Sequence, residues 1–324
     1  MTQRSSLPKD EPAAGVRGYA TDLGLLAVAA IWGVNFSVTK IVLSELDPLA
    51  LNALRFPLAL LALGLVVRRT PGPLWPARED VGRIVALGLL GNVLYQLCFI
   101  YGLDWTRAGN ASLLLSTTPV WTLLFSAAAG HERPTPHVAL GVGGTLAGMA
   151  LVVLGGGGEV SLGSDTLRGD LVMVVASVLW ATYTVAGRDP VGRYGPLRMT
   201  TWTVVVGTPV LVAMGAPAVL DTDLAAVSPG AWAGVVYAGL FSIGIAYLLW
   251  YRGVRDLGNN RTAVYSNLVP VFGLATAWIW LGEQPSGLQL AGAAVILGGL
   301  TLARLAQSPG PSSTRPSVTP SSLR

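Results

Sequence analysis

Charge is what this chain has least of. Only 12% of its 324 residues are Asp, Glu, Lys or Arg, whereas 52% are hydrophobic and the mean hydropathy is +0.57. A soluble domain carries about 25% charged residues. Half that amount excludes an ordinary water-exposed exterior. Cysteine is almost missing too, and Cys98, alone in an apolar run, excludes a disulfide framework. Histidine occurs twice, as His131 and His137. Neither H-x-x-x-H nor H-E-x-x-H spacing is present, so no metal site and no cofactor are expected. The N-terminal MTQRSSLPKDEPAAGVRGYATD lacks the short apolar core and small-residue cleavage site of a signal peptide. The C-terminal QSPGPSSTRPSVTPSSLR has the composition of a disordered tail.

Apolar length is what the chain has in excess. A helix needs about 20 apolar residues to cross a bilayer, and ten such runs begin near Leu23, Pro48, Val81, Ala108, His137, Gly169, Leu197, Ala231, Asn260 and Leu288. Turn-forming strings such as SELDP, RRTPGP, GRDPVGRYGP and LGEQPSG separate them. Ten spans place both tails on one side. Alternation assigns 17 of the 21 cations to that side and only Lys40, Arg107 and Arg168 to the other, with Arg55 inside the second run. Cations concentrate on the cytoplasmic side of membrane proteins, so both termini are expected to be cytoplasmic and the chain to lie in the inner membrane. The +4 net charge therefore reads as membrane orientation, with no nucleic-acid partner.

The runs repeat. At an offset of 148, Trp32 meets Trp180 and Lys40 meets Arg188; at 151, Gly88 meets Gly239, Pro119 meets Pro270, Glu132 meets Glu283, Gly141 meets Gly292 and Gly148 meets Gly299. Five spans per copy is an odd number, so the second copy is upside down. The expected fold is an all-α integral membrane protein of ten transmembrane helices in two inverted five-helix repeats, residues 21–156 and 169–306, between disordered cytoplasmic tails 1–20 and 307–324. Inverted repeats are common among secondary transporters.

AAIWGVNFSVTK in the first run, ALRFPLA in the second and LLLSTTPVWTLLFSAAAGHERPT across the fourth resemble the drug/metabolite transporter superfamily, EamA type. NLVPVFGLATAWIWLGEQPS in the ninth run repeats the pattern of the fourth. The resemblance implies transport of a small metabolite, usually export, through a cavity between the halves.

Helical spacing shows which side chains share a face. Trp32, Asn35, Phe36, Thr39 and Lys40 form one stripe, with Trp180 and Tyr183 on its repeat mate. Asn92, Tyr95, Gln96 and Phe99 form another, with Tyr247 and Trp250 on the less polar copy. Four such helices are expected to enclose an aromatic, partly polar substrate cavity; the alternative is that these groups only bond neighbouring helices. Pro119 and Pro270 remove a backbone donor mid-span. That frees the carbonyls of Leu115 and Ser266 beside Ser116 and Asn267, with Tyr265 on the same ninth run. Glu132 and Glu283 are expected at helix ends, on opposite faces, as gates.

Arg55 has no carboxylate well inside any run to pair with. A cation at that depth is a candidate substrate ligand, and with Lys40 it would hold a carboxylate. Alternatively, Arg55 snorkels to the outer interface or bonds the carbonyls of a neighbouring helix end. The small-residue patterns Gly144-x-x-x-Gly148 and Ala294-x-x-x-Gly298 point to scaffold or to a homodimer face. A carrier for an amino-acid-like or other small zwitterion or anion is the leading reading. A receptor or scaffold, and a lipid or nucleotide-sugar carrier, are the alternatives. Without a nucleophile–base pair or metal ligands in the spans, an enzyme is not expected.

Overall fold

The computed structural model describes residues 14–129, 136–155, 165–257, 262 and 265–305, and every regular element among them is helical. Seven runs are long and apolar enough to cross a membrane and three more apolar helices are shorter. In chain order they are α1 (Ala14–Leu43), α2 (Pro48–Arg69), α3 (Arg78–Trp105), α4 (Ala108–Ala128), α5 (Pro136–Gly155), α6 (Asp165–Ala186), α7 (Pro196–Asp221), α8 (229–257), α9 (Ser266–Leu281) and α10 (Gly287–Leu305). A seven-residue helix, Arg188–Tyr194, joins α6 to α7.

Local chemistry sets the boundaries. Asp47 caps α2 by accepting the amides of Leu49 (2.7 Å) and Ala50 (3.4 Å), and Pro48 supplies a first-turn residue without an amide to satisfy. Ser228 and Pro229 repeat the device at the start of α8. α9 ends on Gly282 at φ +67°, where the Gly282 amide donates to Trp278 and the Glu283 amide to Ala277. This paired turn needs a left-handed residue, hence the glycine. It fixes the direction in which Glu283 leaves the helix.

Two positions depart from plain α geometry. Leu90–Leu94 of α3 and Tyr237–Ile245 of α8 are wound in wider π turns. The offset of 151 carries residues 90–94 onto 241–245, inside the second segment. Single π turns inside helices concentrate at functional sites. Their packing is matched as well: a Cβ on Gly239 would sit 2.5 Å from the Arg55 carbonyl oxygen, and one on Gly88 3.1 Å from that of Thr203.

The two mid-span prolines stand at helix restarts. α4 stops at Leu115 and resumes at Thr118, leaving Pro119 in the first turn of the new segment; Pro270 occupies the same place after the turn Ser266–Leu268. The freed Leu115 carbonyl is taken up locally. Ser116, Thr117 and Thr118 donate their hydroxyls to the carbonyls of Leu113 (2.6 Å), Leu114 (2.6 Å) and Leu115 (2.7 Å). Side chains of this kind re-satisfy broken helices where water is absent.

Packing follows a rule of exchange. α5 lies along α10 and α2 along α7; α3 packs on α6 as α8 does on α1; α4 packs on α6 as α9 does on α1; α2 packs on α8 as α7 does on α3. Exchanging residues of α1–α5 with those of α6–α10 maps this set of pairs onto itself. The α5–α10 contact shows it at atomic scale. A Cβ on Gly148 would lie 2.8 Å from the Gly292 carbonyl oxygen, and one on Gly299 2.6 Å from that of Gly141. These glycines are consumed inside the fold. Gly298, from the stripe expected at a dimer face, faces open space.

Candidate functional site

The interior polar groups fall into a sealed end and a buried centre. At the sealed end α3 terminates at Trp105, leaving carbonyls that no later amide can reach. The Lys40 ammonium of α1 takes three of them, Leu103 (2.9 Å), Asp104 (2.5 Å) and Thr106 (2.8 Å). A cation at a helix C-terminus also complements the helix dipole. All three donors of the ammonium are engaged. Lys40 is therefore a helix-end cap here, and the expectation that it joins Arg55 on a carboxylate is corrected. The role offered to Arg55, bonding a neighbouring helix end, belongs to Lys40.

The adjacent N-terminus of α4 has no cap of its own, since Arg107 offers no side-chain acceptor. Glu283, aimed by the Gly282 turn, supplies it from α9. Its two carboxylate oxygens each lie 2.9 Å from an amide nitrogen, those of Ala108 and Gly109. Asp170, buried at the start of α6, accepts from Thr106 Oγ1 (2.5 Å) and Asn110 Nδ2 (3.2 Å). Asn110 in turn accepts from Gln289 of α10 at 2.5 Å, and Ser286 bonds the Gly155 carbonyl at 2.8 Å. This network ties the ends of α1, α3, α4, α5, α6, α9 and α10 together. Asp170, Thr106, Asn110 and Gln289 were not singled out from sequence. The usable signal was Asp22, which precedes Asp170 by the same offset of 148. In the structure Asp22 accepts the hydroxyl of Tyr265 (2.8 Å). Glu132 lies outside the described residues.

The repeat mates of this end differ. Arg188, matched to Lys40, is exposed, and its side chain makes no hydrogen bond among the described residues. The face nearby carries partly exposed ion pairs instead, Arg83–Asp189 (3.1 Å) and Arg193–Asp80 (2.5 Å). Such solvent-screened pairs contribute little to stability.

The centre is aromatic. Trp32 donates its indole N–H to the Ser242 carbonyl in the π segment of α8 (3.0 Å) and packs on Tyr247 (5.8 Å) and Trp250 (5.2 Å). On the other half Trp180 packs on Tyr95 (4.8 Å) and Tyr183 (5.1 Å), and Tyr95 on Phe99 (6.0 Å). Tyr183 lies against Gly91, in the π segment of α3, and bonds Thr203 at 3.2 Å. The rings pack on one another. The apolar groove of about 620 Å³ lies elsewhere, between α9 and α10, lined by Leu274, Trp278, Leu290 and Leu297 among others. Asn92 lies with its Cβ and backbone against Gly207 of α7. Ser116 donates to the Leu113 carbonyl of its own helix, and Asn267 sits in the opening turn of α9.

Arg55 is 2% exposed, so it does not snorkel. Its Nε donates to Asn52 Oδ1 (3.0 Å) and its Nη2 to Gln96 Oε1 (2.8 Å). The guanidinium lies 5.8 Å from the Phe56 ring centre and 5.7 Å from that of Phe99, and Phe99 touches Phe36 at 5.8 Å. No carboxylate among the described residues pairs with it. Burying an arginine mid-span costs about 2.5–3.5 kcal/mol on insertion scales, and hydrogen bonds to a charged group return about 1.5–3 kcal/mol each. Two such bonds therefore suffice to hold it in place. They leave its positive charge uncompensated.

A multi-helix membrane protein whose packing repeats between its halves around a polar, aromatic centre has the build of a transporter. The family models agree: the chain belongs to the EamA-like transporter family, which matches it twice, over residues 20–154 and 167–305. An "Uncharacterized transporter" of Archaeoglobus fulgidus is 32% identical over 286 residues, 87% of this chain and 96% of its own. A "Probable terminal-alkyne amino-acid exporter" of Streptantibioticus cattleyicolor is 28% identical over 281 residues, 86% of this chain and 91% of its own. A crystal structure at 23% identity superposes with a TM-score of 0.63, covering 89% of this chain and 99% of that one, and shares the fold.

Proposed function

We propose that the chain is a secondary transporter that exports a small metabolite, an amino-acid-like zwitterion or anion, across the inner membrane. Ten helices cross the bilayer as two inverted five-helix repeats, residues 21–156 and 169–306, with both termini cytoplasmic. The repeats alternate access to the aromatic and polar centre between them. The observation that carries this reading is the contrast between equivalent ends. Lys40 is fully engaged at one and Arg188 is exposed at the other, although the helix pairing around them is exchange-symmetric. Two inverted halves with one end latched describe one of two alternating states. Charge asymmetry supports the orientation. The exporter name of the S. cattleyicolor relative supports the direction and the cargo class.

The test is flux. Purified protein in liposomes loaded with radiolabelled amino acids and small organic acids is expected to release one or more of them with saturable kinetics. Saturable binding without release would indicate a receptor. Release of lipid or nucleotide-sugar probes alone would move the cargo class.

A further inference from the structure

The buried centre holds more polar capacity than its internal bonds use. Asn35 Oδ1 and Thr39 Oγ1 of α1 and Asn52 Nδ2 of α2 are buried with no hydrogen-bond partner. Buried polar groups are nearly always paired, and one left unpaired is costly. Asn35 and Thr39 stand four residues apart, on one helical face. Asn52 is one turn from Arg55 and bonded to it. A guanidinium has five N–H donors; two of Arg55's are engaged, which leaves three. Phe99 bridges the two sets: it touches Phe36, the neighbour of Asn35 on α1, and the Arg55 guanidinium. The remaining valences divide by sign: N–H donors on Arg55 and Asn52, a hydroxyl on Thr39, and a carbonyl acceptor on Asn35.

We propose that Arg55, Asn52 and Thr39 form a carboxylate subsite, and that Asn35 accepts an N–H or O–H of the same cargo molecule. The inference rests on the transport reading and assigns residues to its cargo. A carboxylate accepts two parallel bonds from a guanidinium and supplies the negative charge that the centre lacks. An acceptor-only oxygen beside it requires a donor on the cargo. A carboxylate with a neighbouring ammonium or hydroxyl satisfies every free valence, whereas a carboxamide leaves the arginine uncompensated. Lys40 takes no part. The rest of the cargo faces Phe36, Phe99 and Tyr95, surfaces that fit apolar groups and do not discriminate sharply among them.

Three labelled pools in proteoliposomes test this: L-amino acids, their 2-oxo acids and their α-carboxamides. Wild type is expected to release members of the first pool. Matched 2-oxo acids should leave at least several-fold more slowly, and carboxamides at the protein-free rate. Arg55→Gln should abolish release of the acids while remaining monodisperse in detergent. Asn52→Ala should raise KM about tenfold with the maximal rate retained. Release by Arg55→Gln at the wild-type rate, or carboxamides moving as fast as acids, would overturn the subsite and leave transport standing. If nothing moves, tryptophan-fluorescence titration with the amino-acid pool separates the two ideas. Saturation in wild type but not in Arg55→Gln keeps the subsite and rejects transport; no saturation rejects both.

Discussion

Glu283 meets the α4 amides of Ala108 and Gly109 with one carboxylate oxygen each, at 2.9 Å, across 174 residues of chain. A carboxylate at a helix N-terminus is worth about 0.5–2 kcal/mol, which is roughly a two- to thirtyfold bias toward the latched end. Glu283→Gln keeps one acceptor and loses the charge. A cysteine placed at Ser112, one turn into α4, should react with impermeant thiol reagents several-fold faster in that background. Unchanged labelling would remove the latch role.

Lys40→Met is expected to behave as a stability mutant. It strands the carbonyls of Leu103, Asp104 and Thr106, and each buried orphan costs about 1–3 kcal/mol. The melting temperature in detergent should fall by several degrees or more, while the KM for cargo stays within about twofold. A KM rise as large as that from Asn52→Ala would return Lys40 to the cargo.

Asp170→Leu removes the acceptor shared by Thr106 and Asn110. Both donors are buried, so it should destabilise by about 2–5 kcal/mol, in the range for broken buried networks. Asp170→Asn keeps one acceptor and should cost less than half as much. Parallel denaturation midpoints check the order.

Two mid-helix glycines, one in plain α geometry and one in a π segment, should respond in opposite directions to alanine. A Cβ on Gly64 meets nothing within 4 Å, whereas one on Gly239 would lie 2.5 Å from the Arg55 carbonyl oxygen. Gly64→Ala should stabilise by about 0.5–1 kcal/mol through helix propensity. Gly239→Ala should lower the melting temperature and slow flux, because backbone on α2 must move and Arg55 moves with it. Equal melting temperatures would contradict the close approach.

Apolar run length and turn strings made the helices legible, whereas which helix packs on which came only from the structure. Spacing along one helix, however, gives no phase between two. That is why Lys40 and Arg55, each described correctly as a cation among apolar residues, had their surroundings exchanged: one ends at another helix's carbonyls, the other among amides and rings. Asn92 shows the same limit, since its spacing on α3 did not tell that its Cβ would meet Gly207 of α7. Asp170 was overlooked because it stands at the edge of a run, where acids are ordinary. The π turns leave no trace in composition. Only the glycines at 88, 91 and 239, where ring or backbone approaches closely, mark their neighbourhood.

The glycine contact between α5 and α10 has a mechanical consequence. With Gly148 against Gly292 and Gly141 against Gly299, the two backbones leave no room for either to slide or roll. In the alternation proposed above, this pair would serve as the axle about which one end opens as the other shuts. A cross-link there is then expected to leave flux intact.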